Sequence, residues 1–188
     1  DRNVAGALSA LIRREGEAAS HRRPLPRKNF LADIFSRAAN KVQSVEDVVF
    51  ADYAHLSEQM DAIVALFEGY TQRKREHHFL DYDDLLVWFQ RLLQDSPEVR
   101  RRISTSYRYI MVDEYQDTNQ IQADILYHLT DANRNIMVVG DDSQSIYAFR
   151  GANFRNIIDF PKLFAGARII SLEENYRSTQ PILNLTNI

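Results

Sequence analysis

Tyr109-Ile110-Met111-Val112-Asp113-Glu114-Tyr115-Gln116-Asp117-Thr118 is the stretch around which the rest of this chain can be ordered. Four apolar residues without alternation, several of them β-branched or aromatic, predict a buried parallel strand covered on both faces. The run ends in two adjacent carboxylates, Asp113 and Glu114, with Gln116 and Asp117 just beyond. The carboxyl end of such a strand is where open α/β sheets bind ligands. One carboxylate there can hold Mg²⁺ beside a nucleotide phosphate, and its neighbour can orient or deprotonate an attacking water. An isolated Asp-Glu pair is more often an acidic turn, so the rest of the chain has to decide.

Downstream, Asn119 to Thr130 places Ile121, Ile125, Leu126 and Leu129 on one helical face, and a polar loop, Asp131 to Asn135, follows. Ile136-Met137-Val138-Val139 then reads as a second strand, closed by Gly140-Asp141-Asp142. Strand, crossover helix and strand at this spacing predict a βαβ unit with parallel strands. A helix near Asn153 to Phe160 should stop at Pro161, and Arg168 to Leu172 supplies an expected third strand. Pro181 suits the first turn of a further helix. Upstream, Ser96-Pro97-Glu98 opens a helix ending near Tyr107, with Ser96 as N-cap and Pro97 at the first helical position. Asp81, Asp83 and Asp84 precede Leu85, Leu86, Trp88 and Phe89, and helix initiation accounts for acids in that place.

The first seventy-odd residues read as helical. Val4, Ala7, Leu8, Leu11 and Ile12 form one stripe between Val4 and Glu17; Pro24 and Pro26 interrupt His21 to Arg27; a short helix spans Asn29 to Asn40. Ser44 with Asp47 makes a capping pattern ahead of Val45, Val49, Tyr53, Leu56, Met60, Ile63, Phe67 and Tyr70, which predicts one long helix to about Glu76. The fold class expected is therefore α/β with an N-terminal α-helical subdomain.

At 188 residues, 45% hydrophobic and 26% charged, the composition is that of an ordinary soluble globular protein. The sequence has no cysteine, which rules out disulfides and thiolate metal sites and fits a reducing cytoplasm. Apolar runs fall well short of a membrane span, and the opening residues have neither signal-peptide nor transit character. The net charge of −3 does not advertise nucleic-acid binding, yet Arg13, Arg14, Arg22, Arg23, Arg27 and Lys28 gather early, where they could track phosphates or line a solvated helix face.

Parallel strands bring the loops at their ends to one sheet edge. Gly140 to Ala152 reads G-D-D-S-Q-S-I-Y-A-F-R-G-A, and Glu174 to Ser178 reads E-N-Y-R-S. Gln144, at the exit of the second strand, could touch a terminal phosphate on that edge. Tyr147, Phe149 and Arg150 interleave aromatic rings with a cation, a combination suited to stacking unpaired bases and pairing with their backbone. Core packing is the competing account of the two rings. Arg177 beside Tyr176 could fork onto a phosphate while the ring stacks on a purine.

Together, D-E-Y-Q-D-T, G-D-D-S-Q-S-I-Y-A-F-R-G-A and L-E-E-N-Y-R-S resemble the Walker B, third and fourth motifs of the UvrD/Rep/PcrA-like family of the first helicase superfamily. The resemblance covers roughly Asp81 to Ser178. It implies a partial RecA-like parallel sheet of the P-loop NTPase type, divided as a helical insertion over 1–76, the second part of a first motor domain over 77–172, and the start of a second over 173–188. It also implies ATP hydrolysis with Mg²⁺ driving movement on single-stranded DNA and unwinding of duplex DNA, usually 3′ to 5′, in repair or replication. Asp113 would bind Mg²⁺, Glu114 would activate the water, and Gln144 would sense the γ-phosphate. Tyr147 and Phe149 would face the bases; many relatives carry Trp where this chain has Phe149, which weakens stacking there. Arg150 would sit between the ATP and DNA sites, Tyr176 would stack on adenine, and Arg177 would act as an arginine finger.

A G-x-x-x-x-G-K-S/T phosphate loop is not in the sequence: none of Gly6, Gly16, Gly69, Gly140, Gly151 and Gly166 precedes a lysine. The chain thus resembles an internal segment of such a helicase, expected to be inactive alone, with an open apolar face capped by another copy or by rearranged helices. Two further readings are a non-catalytic DNA- or partner-binding module working through the early basic cluster, and the motor part of a helicase-nuclease.

Overall fold

The computed structural model describes Gly6, Ser9, Ala10, residues 25–144, Asn153 and residues 155–186. Eight labelled helices and two strands run in the order α1 (Lys28–Lys41), α2 (Val45–Asp52), α3 (Met60–Glu76), α4 (Tyr82–Asp95), α5 (Pro97–Ser106), β1 (Ile110–Val112), α6 (Gln120–Leu129), β2 (Ile136–Val138), α7 (Arg155–Leu163) and α8 (Gln180–Thr186). Short 3₁₀ turns occupy Ala54–Gln59, Tyr115–Asp117 and Asp142–Gln144. The described part is mostly helical around a small parallel sheet. Gly6, Ser9 and Ala10 are helical, and the rest of the expected Val4 to Glu17 helix lies outside the described residues.

α1, α2 and α3 enclose one core, built on Leu31, Ile34, Val48, Ile63 and Leu66, each at most 1% exposed. α2 starts as the sequence predicts: the Ser44 hydroxyl accepts the Asp47 N–H at 3.0 Å, and the Asp47 carboxylate accepts the Ser44 N–H. The single helix expected from Ser44 to Glu76 is instead broken. Tyr53 leaves helical geometry at φ −137°, and the 3₁₀ turn Ala54–Gln59 intervenes before α3. The apolar spacing runs on through the break because Leu56 follows Tyr53 by three residues, which a 3₁₀ turn places on one side as well as an α-helix does. Tyr53 is anchored there, its hydroxyl bonded to Asp33; burial first, and that bond second, push it up to about 12.

α4 starts where the acids predict a helix to start, with a capping box between Asp81 and Asp84 that was not among the sequence expectations, but those acids also do something local rules do not foresee. The Lys74 ammonium, 8% exposed at the end of α3, lies 2.7 Å from Asp81 and 2.7 Å from Asp84. Asp83 accepts from Asn40 at 3.0 Å, and Asn40 in turn accepts from buried Asn119 at 2.7 Å. These bonds tie the helical core to the segment after β1. α5 opens at Pro97 as expected; Ser96 holds the N-cap position without making the side-chain bond.

β1 and β2 pair in parallel, Ile110 with Ile136, Met111 with Met137 and Val112 with Val138, with α6 between them. The expected βαβ unit is present in that form. The strands are not covered on both faces, however. Val112, Ile136 and Val138 turn toward Tyr115, Phe160 and Phe164, whereas Met111 is 72% and Met137 52% exposed, because no described element packs over them. The third strand is not formed: residues 168–172 pair with no strand among the described residues, and Ile169, Ile170 and Leu172 are exposed. Apolar, β-branched sequence alone does not make a strand without a neighbouring edge and a face to bury. α7 runs through Pro161 rather than stopping before it. Proline's fixed φ is compatible with a helix, and the missing bond is offset by Phe160 and Phe164 stacking at 4.6 Å on either side of it.

Candidate functional site

The carboxyl ends of β1 and β2 meet along one edge, as parallel pairing requires. Asp113 and Glu114 leave β1 exposed to solvent. Glu114 adopts the left-handed conformation, φ 51° and ψ 43°, which an L-residue occupies at a cost of about 1–2 kcal/mol. Its surroundings hold it there. The Tyr115 N–H donates to the Val139 carbonyl at 2.9 Å, and the Asp117 N–H to the Glu114 carbonyl at 2.9 Å. Tyr115 itself, 1% exposed, plugs the floor of the turn against Phe160.

Gln116 sits at the centre of the edge. It is 1% exposed; its amide nitrogen donates to the Glu114 carboxylate at 2.7 Å, and its carbonyl accepts the Asp141 N–H at 3.1 Å. Gly140 makes room for it: a Cβ there would lie 2.4 Å from the Gln116 carbonyl oxygen and 2.8 Å from Ile157 Cδ1. From Asp141 the bonds continue, since its carboxylate accepts from the Gln144 side chain at 2.8 Å and from the Ser143 N–H at 3.0 Å. Those two bonds, Gln144 first, lower the Asp141 carboxyl below its ordinary range. Glu114 and Gln144 are thus joined by an unbroken hydrogen-bonded path. Both ends of that path are legible in the sequence; Gln116 is not, since a long polar side chain and a distant glycine are the only signals it leaves there.

Asp113 accepts the Glu114 N–H at 3.0 Å through one oxygen, and its other oxygen makes no hydrogen bond among the described residues. Such a carboxylate fits Mg²⁺, which keeps several waters and takes one or two protein carboxylates plus phosphate oxygens. No cluster of three or more potential metal ligands occurs among the described residues. Tyr176 is 89% exposed with its hydroxyl bonded to Glu174, and Arg177 is exposed. No hydrogen bond or ion pair joins either to Asp113, Glu114 or Gln144 among the described residues, consistent with the unformed third strand. Tyr147, Phe149 and Arg150, the expected base-facing residues, lie outside the described residues.

Residues 6–165 match the family model of the UvrD/REP helicase N-terminal domain. The chain belongs to the UvrD/REP helicase family. Its similarity to individual members is substantial: 39% identity over 138 residues with the ATP-dependent DNA helicase PcrA of Leuconostoc citreum, covering 72% of this chain and 18% of that protein. A probable DNA helicase II homolog of Rickettsia felis is 48% identical over 118 residues, 63% of this chain and 18% of its own length. PcrA of Staphylococcus aureus strain COL is 42% identical over 125 residues, 66% of this chain and 17% of its own. The chain therefore spans under a fifth of the length of these UvrD/REP relatives. No described helix is long and apolar enough to cross a membrane.

Proposed function

We propose that this UvrD/REP segment carries the water-activating and metal-holding edge of an ATP-dependent DNA helicase. The observation that carries the reading is the Asp141 N–H to Gln116 bond at 3.1 Å, through which the loop after β2 meets the acidic pair after β1. Two strands' ends sharing a rim is the arrangement a nucleotide triphosphate needs, with one side acting on the attacking water and the other sensing the terminal phosphate.

In this reading the sheet is the second part of a RecA-like motor domain over 77–172, residues 1–76 form a helical insertion, and 173–188 begin the next motor domain. Asp113, with its free oxygen, would hold Mg²⁺, which when bound neutralises charge on the phosphates. Glu114 orients a water for in-line attack on the γ-phosphorus and takes its proton as ADP leaves. Gln144 reports the presence of the γ-phosphate, Tyr176 stacks on the adenine, and Arg177 stabilises the transferring phosphoryl group once the second motor domain closes. Tyr147, Phe149 and Arg150 hold single-stranded DNA, so that hydrolysis drives 3′ to 5′ movement and unwinding, in the cytoplasm, during repair or replication.

The test is Glu114→Gln in the full-length protein. DNA-stimulated ATP hydrolysis should be abolished while nucleotide binding is kept; retained turnover would remove Glu114 as the base. Salt-dependent DNA binding by residues before Lys74 alone would favour a non-catalytic module instead.

A further inference from the structure

The buried amide of Gln116 has no part in the roles assigned above. We infer that Gln116 is a positioning residue that fixes the Glu114 carboxylate for water activation and links its position to the loop bearing Gln144. The inference rests on the reading of Glu114 as the base.

Geometry makes the case. Glu114 stands in a left-handed conformation, and the bond from Gln116 at 2.7 Å is the side-chain contact that holds its carboxylate to one place on the rim. The orientation of the amide is forced: a carboxylate only accepts and a backbone N–H only donates, so the nitrogen must face Glu114 and the oxygen Asp141. Burial shields the Gln116 amide from water while the Glu114 carboxylate it holds stays open to solvent, and the clearance kept by Gly140 shows that the glutamine fills its site closely. A glutamine held at both ends cannot shift at one without pulling on the other. Displacement of Gln144 by a terminal phosphate moves Asp141, to which it is bonded at 2.8 Å, and Asp141 moves Gln116 and hence Glu114.

Two variants separate the bonds. Gln116→Met keeps the volume and loses both; Gln116→Glu keeps an acceptor for the Asp141 N–H and loses the donor to Glu114. In the full-length protein, with DNA-stimulated ATP turnover and a fluorescent ATP analogue as the binding probe, both should lower kcat on the order of 10- to 100-fold and leave analogue affinity and KM within about twofold. In the Glu114→Gln background, Gln116→Met should cost no further residual rate, because a residue acting only through Glu114 has nothing left to position. A kcat within about twofold of wild type, a loss that multiplies with that of Glu114→Gln, or a lowered melting temperature with the folded fraction fully active would each overturn the inference. Normal turnover by Glu114→Gln itself would instead overturn the assignment of the base.

Discussion

Gly140→Ala tests the packing of the rim most directly. Gly140 does not occupy the left-handed region, so alanine meets no left-handed backbone penalty and the destabilising part of the effect comes from contact. The new methyl would lie 2.4 Å from the Gln116 carbonyl oxygen, roughly an ångström inside an ordinary carbon–oxygen contact. The amide has to retreat by about that distance, which breaks its 3.1 Å bond from Asp141 and leaves a buried acceptor unpaired. Overpacking and an unpaired buried group each cost about 1–3 kcal/mol, and because one displacement produces both they overlap. The smaller unfolded-state entropy of alanine returns about 0.4–1 kcal/mol, so the net destabilisation should be about 2–3 kcal/mol. Urea denaturation followed by circular dichroism measures it. With Gln116→Ala as the second mutation, the pair should be less destabilising than the sum by about 1–2 kcal/mol, since the oxygen that alanine strikes is gone. Ile157→Val, which removes only the Ile157 Cδ1 contact and leaves the Tyr115 amide nitrogen at 3.2 Å, should relieve less. Destabilisation by Gly140→Ala below about 0.5 kcal/mol, or strict additivity with Gln116→Ala, would show that the glycine is not there to accommodate the amide.

Other outcomes follow from the helical side. Lys74→Met leaves Asp81 and Asp84 facing each other without their cation and should cost about 2–3 kcal/mol in the same denaturation assay, less than a fully buried pair because solvent reaches both carboxylates. Burial opposes ionisation of Asp81, but Lys74, the Asp84 N–H and the Tyr70 hydroxyl outweigh it and hold the carboxyl below its usual range. A depressed folded-state value means stability that is complete above the unfolded value, about 3.9, and is lost as pH falls through the lower folded one. Lys74→Met should therefore flatten the stability curve below about pH 4, and an unchanged acid limb would refute the clamp. Val42 ends α1 at φ 55°, an unfavourable place for a β-branched residue, so Val42→Gly should raise stability by about 1 kcal/mol, read as an upward shift of the urea midpoint.

What the sequence determined by itself was whatever depends on neighbours along the chain. Ser44 with Asp47 and Asp81 with Asp84 give capping boxes because a side chain three residues away can reach the first free N–H groups. Apolar runs of the right length, separated by a helix, give the parallel pairing of β1 with β2 and put Glu114 and Gln144 at one edge. Only the tertiary structure decided what needs a partner distant in sequence. Residues 168–172 have the composition of a strand and no edge to join; Met111 and Met137 have the composition of a buried face and nothing packed over them. Periodicity carried the expected long helix past Tyr53, where a bond to Asp33 holds the chain in a different geometry. Lys74, charged and near a helix end, reads as a surface residue until Asp81 and Asp84 close around it. Gln116 shows the division most clearly: its two bonds run two residues back and twenty-five ahead, and the second exists only because the sheet has already brought Asp141 beside it.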